Sequence, residues 1–132
     1  MNVELRTAAE VMTKQVLTIE RSETLRAAAA MMNTHHVHCL LVPHAEPKRC
    51  TGILTAKDIV QVLCESGSGM LDRLRVADAM TETAVSLQSE FPIADCLRLM
   101  RMSGVRSAPV LAGSQLVGLL SFTDVLRALS VV

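Results

Sequence analysis

Apolar residues recur at helical spacing in two places far apart in the chain. Leu25, Ala28, Ala29 and Met32 form an i, i+3, i+4, i+7 stripe, and Ile93, Cys96, Leu97 and Met100 repeat it. Each segment therefore predicts an amphipathic helix with one face turned to a core. Ser22 and Thr24 offer N-caps to the first, and Pro92 suits the first turn of the second, where its missing N–H costs nothing. A second helix pair is predicted by Ile59, Val60 and Leu63 and by Val125, Leu126 and Leu129. Between the helices, "HVHCLLV" at 36–42 and "GVRSAPV" at 104–110 are short Val- and Leu-rich runs, each read as a strand and its approach.

The elements recur because the chain is written twice. A shift of 68 residues pairs "EVMTKQVLTI" (10–19) with "DAMTETAVSL" (78–87), setting Met12 on Met80 and Thr13 on Thr81. After a turn that is two residues longer in the first copy the shift becomes 66, and "GILTAKDIVQVL" (52–63) matches "GLLSFTDVLRAL" (118–129). Each copy reads strand, helix, strand, turn, strand, helix. The expected organisation is one domain over 1–132, with a first copy at 8–64, a linker at 65–75 and a second copy at 76–130. A module of about 60 residues is marginal alone. The two copies are thus expected to pack sheet against sheet as one pseudo-twofold α+β unit.

Composition narrows the function. Thirteen basic residues balance thirteen acidic ones, and the only aromatics are two phenylalanines, so a nucleic-acid reader with a basic face and stacking rings is not expected. The opening "MNVELRTAAE" carries Glu4 and Glu10 and does not resemble a secretory signal. No segment approaches the roughly 20 apolar residues that span a bilayer. Cys39, Cys50, Cys64 and Cys96 lack CxxC spacing and read as reduced thiols, so a cytoplasmic protein away from membranes is expected. Nor is there a Gly-rich loop before a helix, a nucleophile elbow or an HExxH motif, and no enzyme is expected.

The stretch "NTHHVHCLLVPH" (33–44) holds His35, His36, His38, His44 and Cys39, all zinc-ligand types. The repeat decides against a metal. In register with it lies "GVRSAPV", which has no ligand residue at all. On a strand, moreover, His36 and His38 share a face that Cys39 does not. No metal site is expected.

Two closing signatures remain, "GILTAKD" with Gly52, Thr55 and Asp58 and "GLLSFTD" with Gly118, Ser121 and Asp124. With the twin "VMT" and "AMT" openings and "APV" at Ala108–Val110, they resemble the CBS domain pair, or Bateman module, from about Ala8 to Leu129. The resemblance implies a tandem pair of strand-helix-strand-strand-helix repeats with a regulatory role. It implies an adenosine-containing ligand (AMP, ADP, ATP or S-adenosylmethionine) in the cleft between the repeats, as a regulatory ligand and not a catalytic cofactor. Conformational or oligomeric change would carry the signal. A chain of this length would be a stand-alone pair, expected as a homodimer, with an enzyme or transporter as its regulated partner.

Within that resemblance each signature residue has a physical reason. A glycine beginning a strand lets a backbone or ligand approach closely. Thr55 and Ser121 would cap the next helix and leave its N–H groups to a phosphate. Asp58 and Asp124 would accept the two hydroxyls of a ribose. By the family pattern the base rests on Gln15, Val16 and Leu17 in one copy and on Thr83, Ala84 and Val85 in the other. The second copy keeps the pattern's proline, Pro109, and places Arg106 where phosphates are held. The first copy departs from it, with Leu41 for the proline and His38 for the arginine. Arg106 is always charged and His38 only in part near neutral pH, so the Asp124 site is expected to be the better one. Thr or Ser followed by Asp three residues on is also a plain helix-capping pattern. The alternative is accordingly a structural or protein-interaction CBS pair without nucleotide.

Overall fold

The computed structural model describes residues 2–44, 51–83 and 85–130. In chain order the elements are α1 (Ala8–Val11), α2 (Leu25–His35), β1 (Cys39–Val42), β2 (Gly52–Thr55), α3 (Ala56–Ser66), α4 (Val76–Ala79), β3 (Thr81–Glu82), β4 (Leu87–Gln88), α5 (Ile93–Ser103), β5 (Ser107–Ala112), β6 (Gln115–Ser121) and α6 (Phe122–Ser130). The mixed α/β fold has two three-stranded sheets, ordered β1-β2-β3 and β4-β5-β6. The first is antiparallel, and in the second β4 runs parallel to β5.

The helical stripes form as their spacing predicts. Thr24 caps α2 by accepting a hydrogen bond from Ala27 N at 3.1 Å, and Leu25, Ala28 and Met32 are buried along one face. Pro92 occupies the N-cap of α5, one place before the first turn, with the extended backbone that a residue leading into a helix adopts. The first strand of each copy is barely present. Thr18 makes a single bridge to Leu41, and β4 has two residues. In the first copy only Leu17 and Ile19 reach that neighbour, through Leu41 N to Leu17 O at 2.9 Å and Ile19 N to Leu41 O at 3.0 Å.

Two compact units result, a first of Leu17–Glu82 and a second of Met1–Val16 with Thr83–Val132. They are not the sequence repeats. The expected linker, 65–75, contributes the 3-10 turn Ser68–Asp72, whose Leu71 is buried in the first core beside Leu25, Leu40 and Leu54. Val76 of α4 joins the same core. Ala8 of α1 lies in the second core with Ile93, Val110 and Leu120.

The copies have exchanged their opening segments, and the exchange is reciprocal. Thr13 pairs with Leu119 as Thr81 pairs with Ile53, and Thr7 bridges Pro92 as Thr24 bridges Arg75. Under the shifts of 68 and 66 each of these is the same contact made twice. Apolar periodicity reports which face of an element is buried but not which partner buries it.

Candidate functional site

Each signature ends a strand and opens a helix, and at both junctions the hydroxyl and carboxylate form a reciprocal cap. Asp58 Oδ2 accepts from Thr55 N at 2.8 Å and from Thr55 Oγ1 at 2.9 Å, while Asp58 N donates to Thr55 Oγ1 at 3.3 Å. Asp124 Oδ2 accepts from Ser121 N at 2.9 Å and from Ser121 Oγ at 3.0 Å, and Asp124 N donates back at 3.2 Å. The capping role read from the sequence is therefore real at both sites.

The other carboxylate oxygen separates them. Asp124 Oδ1 accepts from Thr13 Oγ1 at 2.8 Å and from Arg127 Nη1 at 3.0 Å, and the residue is 4% exposed. Among the described residues Asp58 Oδ1 accepts no hydrogen bond, and Asp58 is half-buried. Gln61 stands where the second copy has Arg127, and it donates to Glu65 instead, at 3.1 Å. Asp58, Gln61, Val62, Glu65, Asp78 and Ala79 line a cleft of about 220 Å³. Asp124, expected to accept two ribose hydroxyls, is thus engaged by its own chain. A carboxylate has about four acceptor positions, and all of them at Asp124 are occupied by the chain.

Arg106 and His38 sit at equivalent places, tied to the starts of α6 and α3. The Arg106 carbonyl accepts from Phe122 N at 3.0 Å and the His38 carbonyl from Ala56 N at 2.8 Å, and both residues are exposed. Pro109 is fully buried in β5, opposite Leu119. Its counterpart Leu41 donates its N–H to Leu17, a bond that proline cannot make. In the segments expected to hold the base, Gln15 is exposed, Val16 and Leu17 are half-buried, and Thr83 and Val85 are buried outside any strand; Ala84 lies outside the described residues. Gln15, Val16, Thr83 and Val85 belong to the second unit with Arg106, Ser121 and Asp124, while Leu17, His38, Thr55 and Asp58 belong to the first.

Both glycines are approached closely, and by the chain itself. Gly52 begins β2 as expected, and a Cβ there would lie 2.8 Å from Met80 Sδ. Gly118 sits inside β6 and does not begin it; a Cβ there would run into Met12 Sδ and lie 2.8 Å from the Thr13 carbonyl oxygen. The twin methionines are the residues exchanged between the copies.

The histidine stretch is a strand with its approach, as its pattern predicts: residues 36–38 lead in and β1 begins at Cys39. His36 closes α2 in the left-handed conformation at φ 55, where Gly104 closes α5 at φ 70. The shared-face argument for His36 and His38 therefore does not apply. Among the described residues no three His, Cys, Asp or Glu side chains are grouped as a metal ion requires, and Cys50 lies outside those residues. Burial, with a smaller effect from Asp58, pushes the Cys39 thiol up to about 11; burial and then Asp95 do the same to Cys96. Neither is a ready thiolate ligand at neutral pH.

Comparison with known families finds the same two repeats, since the CBS domain model matches residues 8–65 and 76–131. The chain belongs to the CBS domain family. CBS pairs are regulatory modules, and this CBS pair is 29% identical over 115 residues to the CBS domain-containing protein YhcV of Bacillus subtilis, covering 87% of this chain and 79% of that protein. It is similar to the hexameric CBS-CP12 protein from bloom-forming cyanobacteria, with a TM-score of 0.81 and 30% identity over 92% of this chain and 67% of that one. The CBS domain pair of protein MJ0100, solved with methylthioadenosine and S-adenosyl-L-methionine, shares the fold with a TM-score of 0.76 and 18% identity, covering 95% of this chain and 96% of that one. Among the described residues of this CBS pair no helix is long and apolar enough to cross a membrane.

Two site residues escape the sequence reading, Thr13 and Arg127. Arg127 had a local signal, since it stands three residues after Asp124 on a helix, within side-chain reach. Thr13 had none, because it meets Asp124 across 111 residues.

Proposed function

We propose that this CBS pair is a regulatory module that senses an adenosine-containing ligand, AMP, ADP, ATP or S-adenosylmethionine, through the Thr55/Asp58 and Ser121/Asp124 junctions. The observation that carries the reading is Asp58. Its Oδ2 is used by the helix cap, and its Oδ1 accepts no hydrogen bond among the described residues, beside a cleft. A ribose hydroxyl is the donor such an oxygen takes, and the start of α3 favours the phosphate that follows. The fold that holds methylthioadenosine and S-adenosyl-L-methionine in the MJ0100 pair supports the same ligand class. Asp58, rather than Asp124, is on this reading the first site to fill, with His38 tied to the start of α3 and Arg106 to the start of α6. The protein works in the cytoplasm, where its thiols stay reduced.

The ligand would act by changing conformation or assembly. Val60 and Leu63 on α3 are 53% and 40% exposed, and Leu126 and Leu129 on α6 are 62% and 57% exposed. Their neighbours Ile59 and Val125 point into the cores. Such faces fit a homodimer, and the same faces would serve an enzyme or transporter partner.

Calorimetric titration with adenosine, AMP, ATP and S-adenosylmethionine tests the ligand. Asp58→Ala should cost roughly 1.5–3 kcal/mol of binding, the range for a hydrogen bond to a charged group. If the wild type binds none of the four at millimolar concentration, the interaction-module reading replaces this one. Sedimentation at tens of micromolar tests the dimer, which a monomer would exclude.

A further inference from the structure

Asp124 is a carboxylate of the ligand-binding type whose remaining oxygen is held by the chain itself. Thr13 Oγ1 and Arg127 Nη1 both donate to Oδ1, at 2.8 and 3.0 Å. Neither contact has an equivalent at Asp58, where Gln61 replaces Arg127 and turns to Glu65. The two contacts also differ in how freely they can open. Arg127 is 66% exposed and can swing into water, where an ion pair holds it only weakly. Thr13 is fixed by its backbone, which exchanges both N–H···O bonds with Leu119 at 2.9 and 3.0 Å, and the preceding Met12 lies against Gly118.

We propose that Thr13 and Arg127 form a latch on Asp124, so that the Asp58 site fills first and the Asp124 site fills only when a ribose hydroxyl displaces the latch. This rests on the adenosine reading above. Opening releases the Thr13 hydroxyl at the joint between α1 and the Leu119 pairing. Occupancy of the second site is thereby coupled to the opening segment of the chain, and occupancy of the first is not. The chain then responds in two steps, at a low and a high ligand concentration.

Adenosine is the probe of choice, because it has no phosphate to which Arg127 could also be attracted. An Asp58→Asn background silences the first site and leaves binding at Asp124 as the calorimetric signal. Adding Arg127→Gln, which installs the first copy's residue, should tighten adenosine about fivefold, the equivalent of about one hydrogen bond. Thr13→Val should tighten it by a similar factor, and Thr13→Ser should not. Unchanged or weaker binding in both Arg127→Gln and Thr13→Val overturns the latch, as does a wild type that fills two sites with equal affinity. If no form binds adenosine or AMP, the ligand reading fails and the latch is judged without ligand. Hydrogen exchange at the Thr13 and Leu119 amides should then speed up several-fold in Thr13→Val and stay slow in Thr13→Ser. Equal protection in all three forms overturns the latch itself.

Discussion

The first unit presents Asp58 and the second presents Asp124 on the same cap, yet one carboxylate keeps an oxygen for a partner and the other spends both on its own chain. The motif is equal in the two copies, so the motif does not decide availability. Two residues outside it do. Three positions on, Gln61 faces Glu65 while Arg127 turns back on its aspartate. In the opening segment Thr13 reaches Asp124, whereas its counterpart Thr81 makes no side-chain hydrogen bond among the described residues. A repeat read only at its signature would rank the two sites by Arg106 and Pro109 and favour the second. Counting the lone pairs already in use favours the first, the order proposed above.

The units differ most in how hard the exchanged methionine segment presses on the glycine. At Gly118 a methyl group would meet the Thr13 carbonyl, which is backbone and held by two bonds to Leu119; at Gly52 it would meet the flexible end of Met80. Gly118→Ala should therefore cost about 3 kcal/mol and Gly52→Ala about 1 kcal/mol, the two ends of the overpacking range. Urea denaturation of both variants measures the gap. Equal costs would mean that Thr13 yields as readily as a methionine tip, and the asymmetry between the units would shrink accordingly.

What could be read from the chain is what is local. The stripes at Leu25–Met32 and Ile93–Met100, the caps at Thr55 and Ser121 and the doubled architecture all lie within a few residues of their own signals. The exchange of opening segments could not be read that way. Met12 meets Gly118 and Thr13 meets Asp124 at separations where periodicity carries no information. The near loss of each first strand is similar, since β propensity cannot say that Thr18 has one bridge to make. His36 is the instructive case, because the register of 68 had already set it against Gly104. A glycine in one copy reports a backbone need in the other, and the approach to β1 begins at that left-handed residue.

Each unit also holds one thiol that burial keeps protonated, Cys39 in the first and Cys96 in the second. Both are pushed from the ordinary 9.0 up to about 11, so the folded state binds the proton more tightly than the unfolded chain does. That contribution is complete below the ordinary value and is lost as pH rises through the folded one. Stability should fall by about 1 kcal/mol per thiol by about pH 10. Cys39→Ser and Cys96→Ala install the residues that the other copy carries, Ser107 and Ala28. Each should remove its own share of the alkaline loss. A pH profile unchanged in the double variant would assign the loss to other groups.

The smallest expected effect tests the two helix ends directly. α2 and α5 are the same length and close with a left-handed residue, but one uses His36 at φ 55 and the other Gly104 at φ 70. A residue with a Cβ pays for that conformation through a clash with the carbonyl that follows, and glycine avoids the clash while giving up more freedom on folding. The net favours glycine, so His36→Gly should stabilise the protein by about 0.5–1 kcal/mol, and Gly104→Ala should destabilise it by a similar amount. His36 is exposed, and its N–H still bonds to Met32 O in the variant, so nothing else in the first core is disturbed. Thermal melts of His36→Gly beside His36→Asn separate the backbone from the side chain. A full gain in His36→Gly with a smaller one in His36→Asn, which also tolerates the left-handed region, belongs to the backbone, whereas no gain in either would show that the His36 side chain contributes at the end of α2 as much as glycine's freedom does.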